Sequence, residues 1–403
     1  MKISEIASHI RERVPSTEIR AEDYVSTDNM RPNFGGIESS SSKPPPGNVT
    51  AYQVGDILLS NIRPYFRKTW LATHEGGCNA DVLCIRANPE KCVPKYLYYL
   101  FTTDNFVNDY LKSCKGAKMP RGDVQRLLDY EFDLPDLPTQ LRIAGVLGSI
   151  DEKIELNRKK IAELEALAKT IYDYWFVQFD FPDKNGKPYK SSGGKMVWND
   201  QLKREVPEGW RVKRLEQVCD RIQSGGTPES KNEAYYGGSI PWFTTQELKD
   251  SWVSHSAKTI TPEAVRNSAA KIFPSGTVLL AIYAAPTVGR LALLSVDATF
   301  NQACCGFVAG KDISKEYLFI TLYEARAKLN SIADGTAQKN LSVGRMRTFD
   351  ILVPEKSIMA QWRGVTEPIF DSIKIASTNI DDLTSCRDRI LPLLMNGQVK
   401  VAG

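Results

Sequence analysis

A heptad stripe that occurs twice constrains this chain more than any other feature. Ile150, Ile154, Asn157, Ile161, Leu164, Ala168, Ile171 and Trp175 alternate spacings of four and three residues. That is the pattern of a helix packing one narrow seam against another helix. Adding 219 to each number gives Ile369, Ile373, Ala376, Ile380, Leu383, Arg387, Ile390 and Leu394, an ungapped and mostly apolar echo. A two-in-seven stripe is too narrow for a broad core, so each helix needs a helical partner, and the two can pair with each other. The expected spans are 139–178, about 60 Å at 1.5 Å per residue, and 358–396. Pro368 and Pro392 predict a kink or a late start in the second helix. Asn157 and Arg387 interrupt the seam. Either they fix its register, or a small rotation of the helix hydrates them.

The echo extends beyond the helices. Ile3, Ile6 and Ile10 fall on Leu215, Val218 and Ile222; "YVSTDNM" (24–30) falls on "WFTTQEL" (242–248); "GDILLS" (55–60) falls on "GTVLLA" (276–281). Asn79 falls on Asn301, Tyr96-Leu97 on Tyr317-Leu318, and Pro135 on Pro354. The order is kept while the offset moves only between 212 and 222, so the chain reads as a duplicated half of about 200 residues. Before each helix, short strand-like runs ("DILLSNI", "TVLLAIY", "FDILVP") mix with turn-rich loops and one helix-like stretch, the pattern of a compact α+β domain. The predicted layout is a first domain at 1–137, a helix at 138–180, a Gly-, Ser- and Lys-rich flexible linker at 181–206, a second domain at 207–355, and a second helix with its tail at 356–403. The expected fold is two similar α+β domains separated by a pair of long antiparallel helices and related by a pseudo-two-fold.

Motifs for catalysis are missing. There is no G-x-x-x-x-G-K-[ST] loop and no H-E-x-x-H helix. "FGGIE" (34–38) and "SGGT" (224–227) hold paired glycines but no G-x-G-x-x-G. "NPEK" (88–91) lacks the second proline and the aromatic of a methyltransferase box, and "PDKNGK" (182–187) lacks the converging carboxylates of a metal-dependent nuclease. The eight cysteines include no C-x-x-C pair, and His9, His74 and His255 lie far apart, which gives no zinc spacing. Scattered thiols, an N-terminus without an apolar core and no run of about 18 apolar residues predict a cytoplasmic protein without a membrane span.

Net charge decides little, since 52 Lys and Arg stand against 48 Asp and Glu. Local clusters say more. "SNIRPYFRK" (60–68) presents Asn61, Arg63, Tyr65, Arg67 and Lys68 after a strand. "SCKGAKMPRGD" (113–123) presents Lys115, Lys118 and Arg121 on a glycine-containing loop, and its repeat partner "ADGTAQKNLSVGRMR" (333–347) presents Gln338, Lys339, Asn340, Ser342 and Arg345. Ser224 and Thr227 of the Gly-rich segment, Thr244 of "WFTTQEL" and Tyr283 after "TVLLAI" complete the candidate set. These residue types pair with phosphates and base edges. A matched pair of basic loops points to nucleic acid, whereas a single one would read as a solvated loop.

The stretches "LPDLPTQLRIAGVLGSIDEKIELNRKKIAELEALAKTIYDYWFVQFD" (134–180), "VPEGWRVKRLEQVCDRIQSGGTP" (206–228) and "GTAQKNLSVGRMRTFDILVP" (335–354) resemble the specificity subunit of type I restriction-modification systems. The likeness covers nearly the whole chain, including a domain that ends in a Leu-Pro run before a long helix, twice over. The second helix departs from the family pattern, because its Leu-Pro approach is degraded and Pro368 interrupts it. The resemblance implies two target-recognition domains, each reading half of a split, asymmetric site on double-stranded DNA. It also implies a helix pair that spaces the readers and docks two methyltransferase subunits. Those partners would bind S-adenosylmethionine and methylate adenine, and a motor-nuclease restriction subunit would join through them. This chain would carry no cofactor and no catalytic or metal-binding residue. The competing expectation is a coiled-coil adaptor that binds protein instead of DNA; a third, an enzyme, would require the isolated chain to bind S-adenosylmethionine or hydrolyse a nucleotide.

Overall fold

The structure, a computed structural model, describes residues 1–38, 43–116, 118–283, 287–332 and 340–401. It divides into two compact units, Met1–Glu155 with Asp382–Gly403, and Leu156–Asp381. Each unit takes one end of each long helix, Leu137–Tyr172 and Lys356–Met395. The division therefore cuts across the sequential layout, because the helix seams bury their apolar residues into the nearest domain core.

The first unit is built on a four-stranded antiparallel sheet in the order Ala7–Ile10, Val82–Ala87, Ile57–Ser60, Thr69–Leu71. Ile57 pairs with Ile85, and Leu59 with Leu83. The helices Pro94–Thr102 and Asp104–Lys112 cover one face. Tyr96, Leu97, Leu100, Phe101 and Phe106 join Ile57, Leu59 and Ile85 in a core that also takes Ile143, Leu147, Leu391 and Leu394 from the two long helices. The first long helix is fixed at its start by Gln140, which is fully buried. Its Oε1 accepts from the Val93 amide at 2.8 Å, and its Nε2 donates to the carbonyls of Lys91 and Pro135 at 3.1 and 2.8 Å.

The second unit repeats the plan. Its sheet runs Cys219–Ser224, Cys304–Ala309, Val278–Ala281, Leu291–Leu294, with Ser251–Val253 added in parallel at the edge. Val278 pairs with Phe307, the counterpart of Ile57 with Ile85. The bridge between Lys2 and Glu131 reappears as the pairing of Arg214 with Asp350. Asn79 and Asn301 each turn the chain into the next strand: their Oδ1 atoms accept from the amides of Asp81 and Ala303 at 2.9 and 3.2 Å.

Within each unit the helix ends run antiparallel. In the first, Ile143 and Leu147 share a core with Leu391 and Leu394, while Asp151 meets Arg387. In the second, Trp175 and Tyr172 pack edge-on to Trp362 at 5.8 and 6.0 Å. Ile154, Trp175, Ile373 and Leu394 of the predicted seam are buried. Ile150, Asn157, Ile161, Leu164, Ile171, Ile380, Leu383 and Ile390 are half-buried.

Two expectations need correction. The second helix does not start late: it begins at Lys356 and stays helical through Pro368 and Pro392. Pro368 and the residue four before it, Gly364, are both exposed, so the carbonyl that loses its partner can take water, while Trp362, Thr366, Phe370 and Ile373 hold the buried face. The segment expected to be a flexible linker is ordered. It forms an antiparallel hairpin of Met196–Asn199 and Arg204–Pro207, and Phe181 stacks between Tyr189 and Trp210 at 4.7 and 5.1 Å. Three aromatic rings bury enough apolar surface to order a Gly- and Ser-rich chain.

Candidate nucleic-acid interface

In the first unit the loop leaving the Ile57–Ser60 strand meets the loop that follows the Asp104–Lys112 helix. The Arg63 amide donates to the Pro120 carbonyl at 2.8 Å, and the Gly122 amide to the Asn61 carbonyl at 3.0 Å. The Lys115 and Arg121 backbones bond reciprocally at 3.0 and 2.9 Å, closing the second loop. Tyr110 Oη donates to Asn61 Oδ1 at 2.6 Å; burial pushes the Tyr110 phenol up, keeping it protonated as the donor. A Cβ on Gly122 would stand 2.1 Å from the Tyr110 ring, so this approach of the two loops requires glycine.

The predicted residues of this unit gather here with different commitments. Arg63, Tyr65, Lys115, Lys118 and Arg121 are exposed. Arg121 is also held by Asp81 at 2.8 Å. Arg67 pairs with Asp104 at 2.7 Å, and Lys68 Nζ donates to the Thr27 carbonyl at 2.6 Å. These last two brace the loop and are only half-exposed. A third segment joins them, because the Asn33 and Phe34 amides donate to the carbonyls of Phe66 and Arg67, both at 2.9 Å. Asn33, Phe34, Arg63 and Arg67 all have positive φ, at 53°, 58°, 47° and 53°. Such a conformation costs a non-glycine residue about 1–2 kcal/mol, and strain of this kind gathers at functional sites.

The same sheet end recurs in the second unit. The Leu341 amide donates to the Ile282 carbonyl at 2.8 Å, as Gly122 does to Asn61. The Ile282 amide donates to the Ala303 carbonyl at 2.8 Å, as Asn61 does to Asp81. Ser342 caps the Val343–Arg347 helix by accepting from the Arg345 amide at 3.1 Å; Asp123 caps Val124–Leu128 in the same way. Ser224 lies at the end of its strand, opposite Cys305, and Thr227 shares a hydrogen bond with Gln302. Tyr283, Thr227, Ser342 and Arg345 are exposed, and Asn340 is half-buried. Thr244 caps a short turn through Glu247 at 2.8 Å, so its side chain is already engaged. Gln338 and Lys339 lie outside the described residues.

Sequence reasoning missed Asn33, Phe34, Phe66, Met119 and Gln302. Phe66 and Met119 are exposed apolar residues inside otherwise basic loops, a pattern that the quoted loop sequences already contained. Asn33 and Phe34 come from a segment that only tertiary pairing brings close. Among the described residues no three His, Cys, Asp or Glu side chains gather to hold a metal ion, and no helix is long and apolar enough to cross a membrane.

The sequence profile of the type I restriction modification DNA specificity domain matches residues 1–166 and 207–363, once in each half of the chain. The chain belongs to this family. The HindI specificity subunit of Haemophilus influenzae is 23% identical over 434 residues, covering 93% of this chain and 94% of that one. The MjaIX specificity subunit of Methanocaldococcus jannaschii is 25% identical over 362 residues, covering 88% and 80%. The crystal structure of a type I restriction-modification S subunit from M. genitalium shares the fold, with a TM-score of 0.59 at 14% identity over 98% of this chain and 95% of that one. The duplicated sheet end described above thus occurs once in each half of a type I specificity chain.

Proposed function

We propose that this specificity chain reads a bipartite, asymmetric site on double-stranded DNA, one half with each unit, and does no chemistry itself. One observation carries the reading: the same hydrogen bonds build the same sheet end twice, but dress it differently. The first presents Arg63, Lys115, Lys118 and Arg121, and the second Thr227, Tyr283, Ser342 and Arg345. Shared geometry suits a shared kind of ligand, and different side chains suit different base sequences.

A second observation supports partner docking. Leu156 and Ile375 occupy equivalent positions on the two helices and are 65% and 60% exposed. Matched exposed apolar side chains suit two copies of one partner, in this reading two methyltransferase subunits that hold S-adenosylmethionine and methylate adenine in the cytoplasm. A restriction subunit would join through them.

The test is DNA binding by the chain assembled with its methyltransferase subunits. The duplex should carry the sequence that the system methylates in its host. The proposal expects affinity at least about 10³-fold above that for scrambled duplexes, with a steep salt dependence. Equal affinity for all duplexes would contradict it and favour a protein-binding adaptor.

A further inference from the structure

Tyr65 and Phe66 lie outside the hydrophobic cores of the first unit, although Lys68 Nζ stands 5.9 Å from the Phe66 ring centroid. They are 49% and 40% exposed. Their ring centroids lie 4.7 Å apart, so they form one aromatic tip. The turn that carries them is braced on every side. Pro64 sets its first dihedral and is buried. Arg63 and Arg67 flank it in left-handed conformations. The Phe66 and Arg67 carbonyls are pinned by Asn33 and Phe34, and the Arg67 guanidinium by Asp104. A strained, anchored backbone thus holds two half-exposed aromatic rings towards solvent at one point of the interface. Their neighbours are cationic: Arg63 precedes them, and Arg121, 58% exposed, lies on the loop bonded to theirs.

We infer that Tyr65 and Phe66 form an aromatic wedge that inserts between base pairs of the half-site read by the first unit and unstacks one step. The inference rests on the DNA reading proposed above and adds a deformation to it. Apolar wedges entering a base step kink duplexes, and the cations beside them hold the phosphates while the stack opens. By sequence offset the matching positions in the second half are Pro286 and Thr287, neither aromatic, so the inference is made for the first unit alone. The sequence preference of the half-site read by the first unit then includes easily unstacked pyrimidine–purine steps.

The experiment uses the full complex with methyltransferase subunits and a duplex carrying the host-methylated sequence. It reads permanganate oxidation of thymines placed singly through both half-sites, alongside affinity and its salt slope. Besides the thymines left opposite the adenines that the methyltransferase subunits flip out, wild type should expose a further thymine at one step of the half-site read by the first unit. Tyr65→Ala/Phe66→Ala should abolish that reactivity and weaken binding roughly tenfold, with the salt slope unchanged. Tyr65→Leu/Phe66→Leu, still apolar, should retain it. Arg63→Ala should keep the reactivity while lowering the salt slope by about one. Specific binding without the further reactive thymine in wild type, or its survival in the alanine pair, would overturn the wedge and leave the DNA reading intact. Loss of sequence-specific binding by wild type would overturn both.

Discussion

Arg387 donates from Nη1 to Asp151 Oδ1 across 2.9 Å, and Tyr99 Oη donates to the other oxygen of the same carboxylate at 2.6 Å. The arginine that breaks the second stripe thus fixes one helix against the other and against the domain helix. Both charged side chains are under a third exposed, at 19% and 28%. Arg387→Ala should destabilise the first unit by about 1–3 kcal/mol, because it leaves a half-buried carboxylate short of a partner. Hydrogen exchange of the amides around 143–151 would read the loss. A double-mutant cycle with Tyr99→Phe should show coupling, since both donors share Asp151.

Gln140, itself fully buried, bonds three partly buried backbone groups at the start of the first long helix. Gln140→Ala should cost about 2–4 kcal/mol through unpaired backbone groups and a cavity. Gln140→Met should cost less, since methionine fills the volume; Met359 stands at the equivalent place in the second half and is buried. Urea unfolding of the two variants compares these losses.

Pro368 lies inside a continuous helix and is exposed. Pro368→Ala should therefore stabilise the chain, by up to about 3 kcal/mol, through the restored hydrogen bond and relieved ring clash. A fall in melting temperature would contradict this.

Burial pushes the thiols of Cys78, Cys92 and Cys305 up to about 12, whereas Cys386 is exposed. At pH 8 iodoacetamide should label Cys386 and leave the other three unlabelled until the chain unfolds, as mass spectrometry would show. Because their folded values are raised, these buried thiols favour the folded state below the ordinary thiol range. That contribution is lost as pH climbs towards 12.

Leu156→Glu and Ile375→Glu should each reduce methyltransferase binding from two copies to one, and the double variant should bind none. Light scattering of the assembled complexes counts the copies. Neither substitution should alter folding, because both positions are solvent-exposed.

The helix pair and the duplication are legible in the sequence because period and register are local signals. Ile154 and Ile373 fall at matched heptad positions, and Ile57 and Val278 at matched strand positions. The candidate loops are legible by residue type, but their joining is not. Nothing local says that the Arg63 amide bonds the Pro120 carbonyl, or that Arg67 and Lys68 are occupied by Asp104 and Thr27. The ordered segment at 181–206 escaped for the same reason, since Phe181 gains its partners only when Tyr189 and Trp210 fold back onto it. Pro368 misled because proline's cost depends on which face of the helix it occupies.

The most direct test of the two-reader account is a genome-wide map of adenine methylation in cells expressing this chain with its methyltransferase subunits. The account predicts one bipartite, asymmetric motif: two short specific blocks separated by an unspecified spacer. Substituting Ser342 and Arg345 should relax one block and leave the other unchanged. A single continuous motif, or a relaxation of both blocks together, would contradict it.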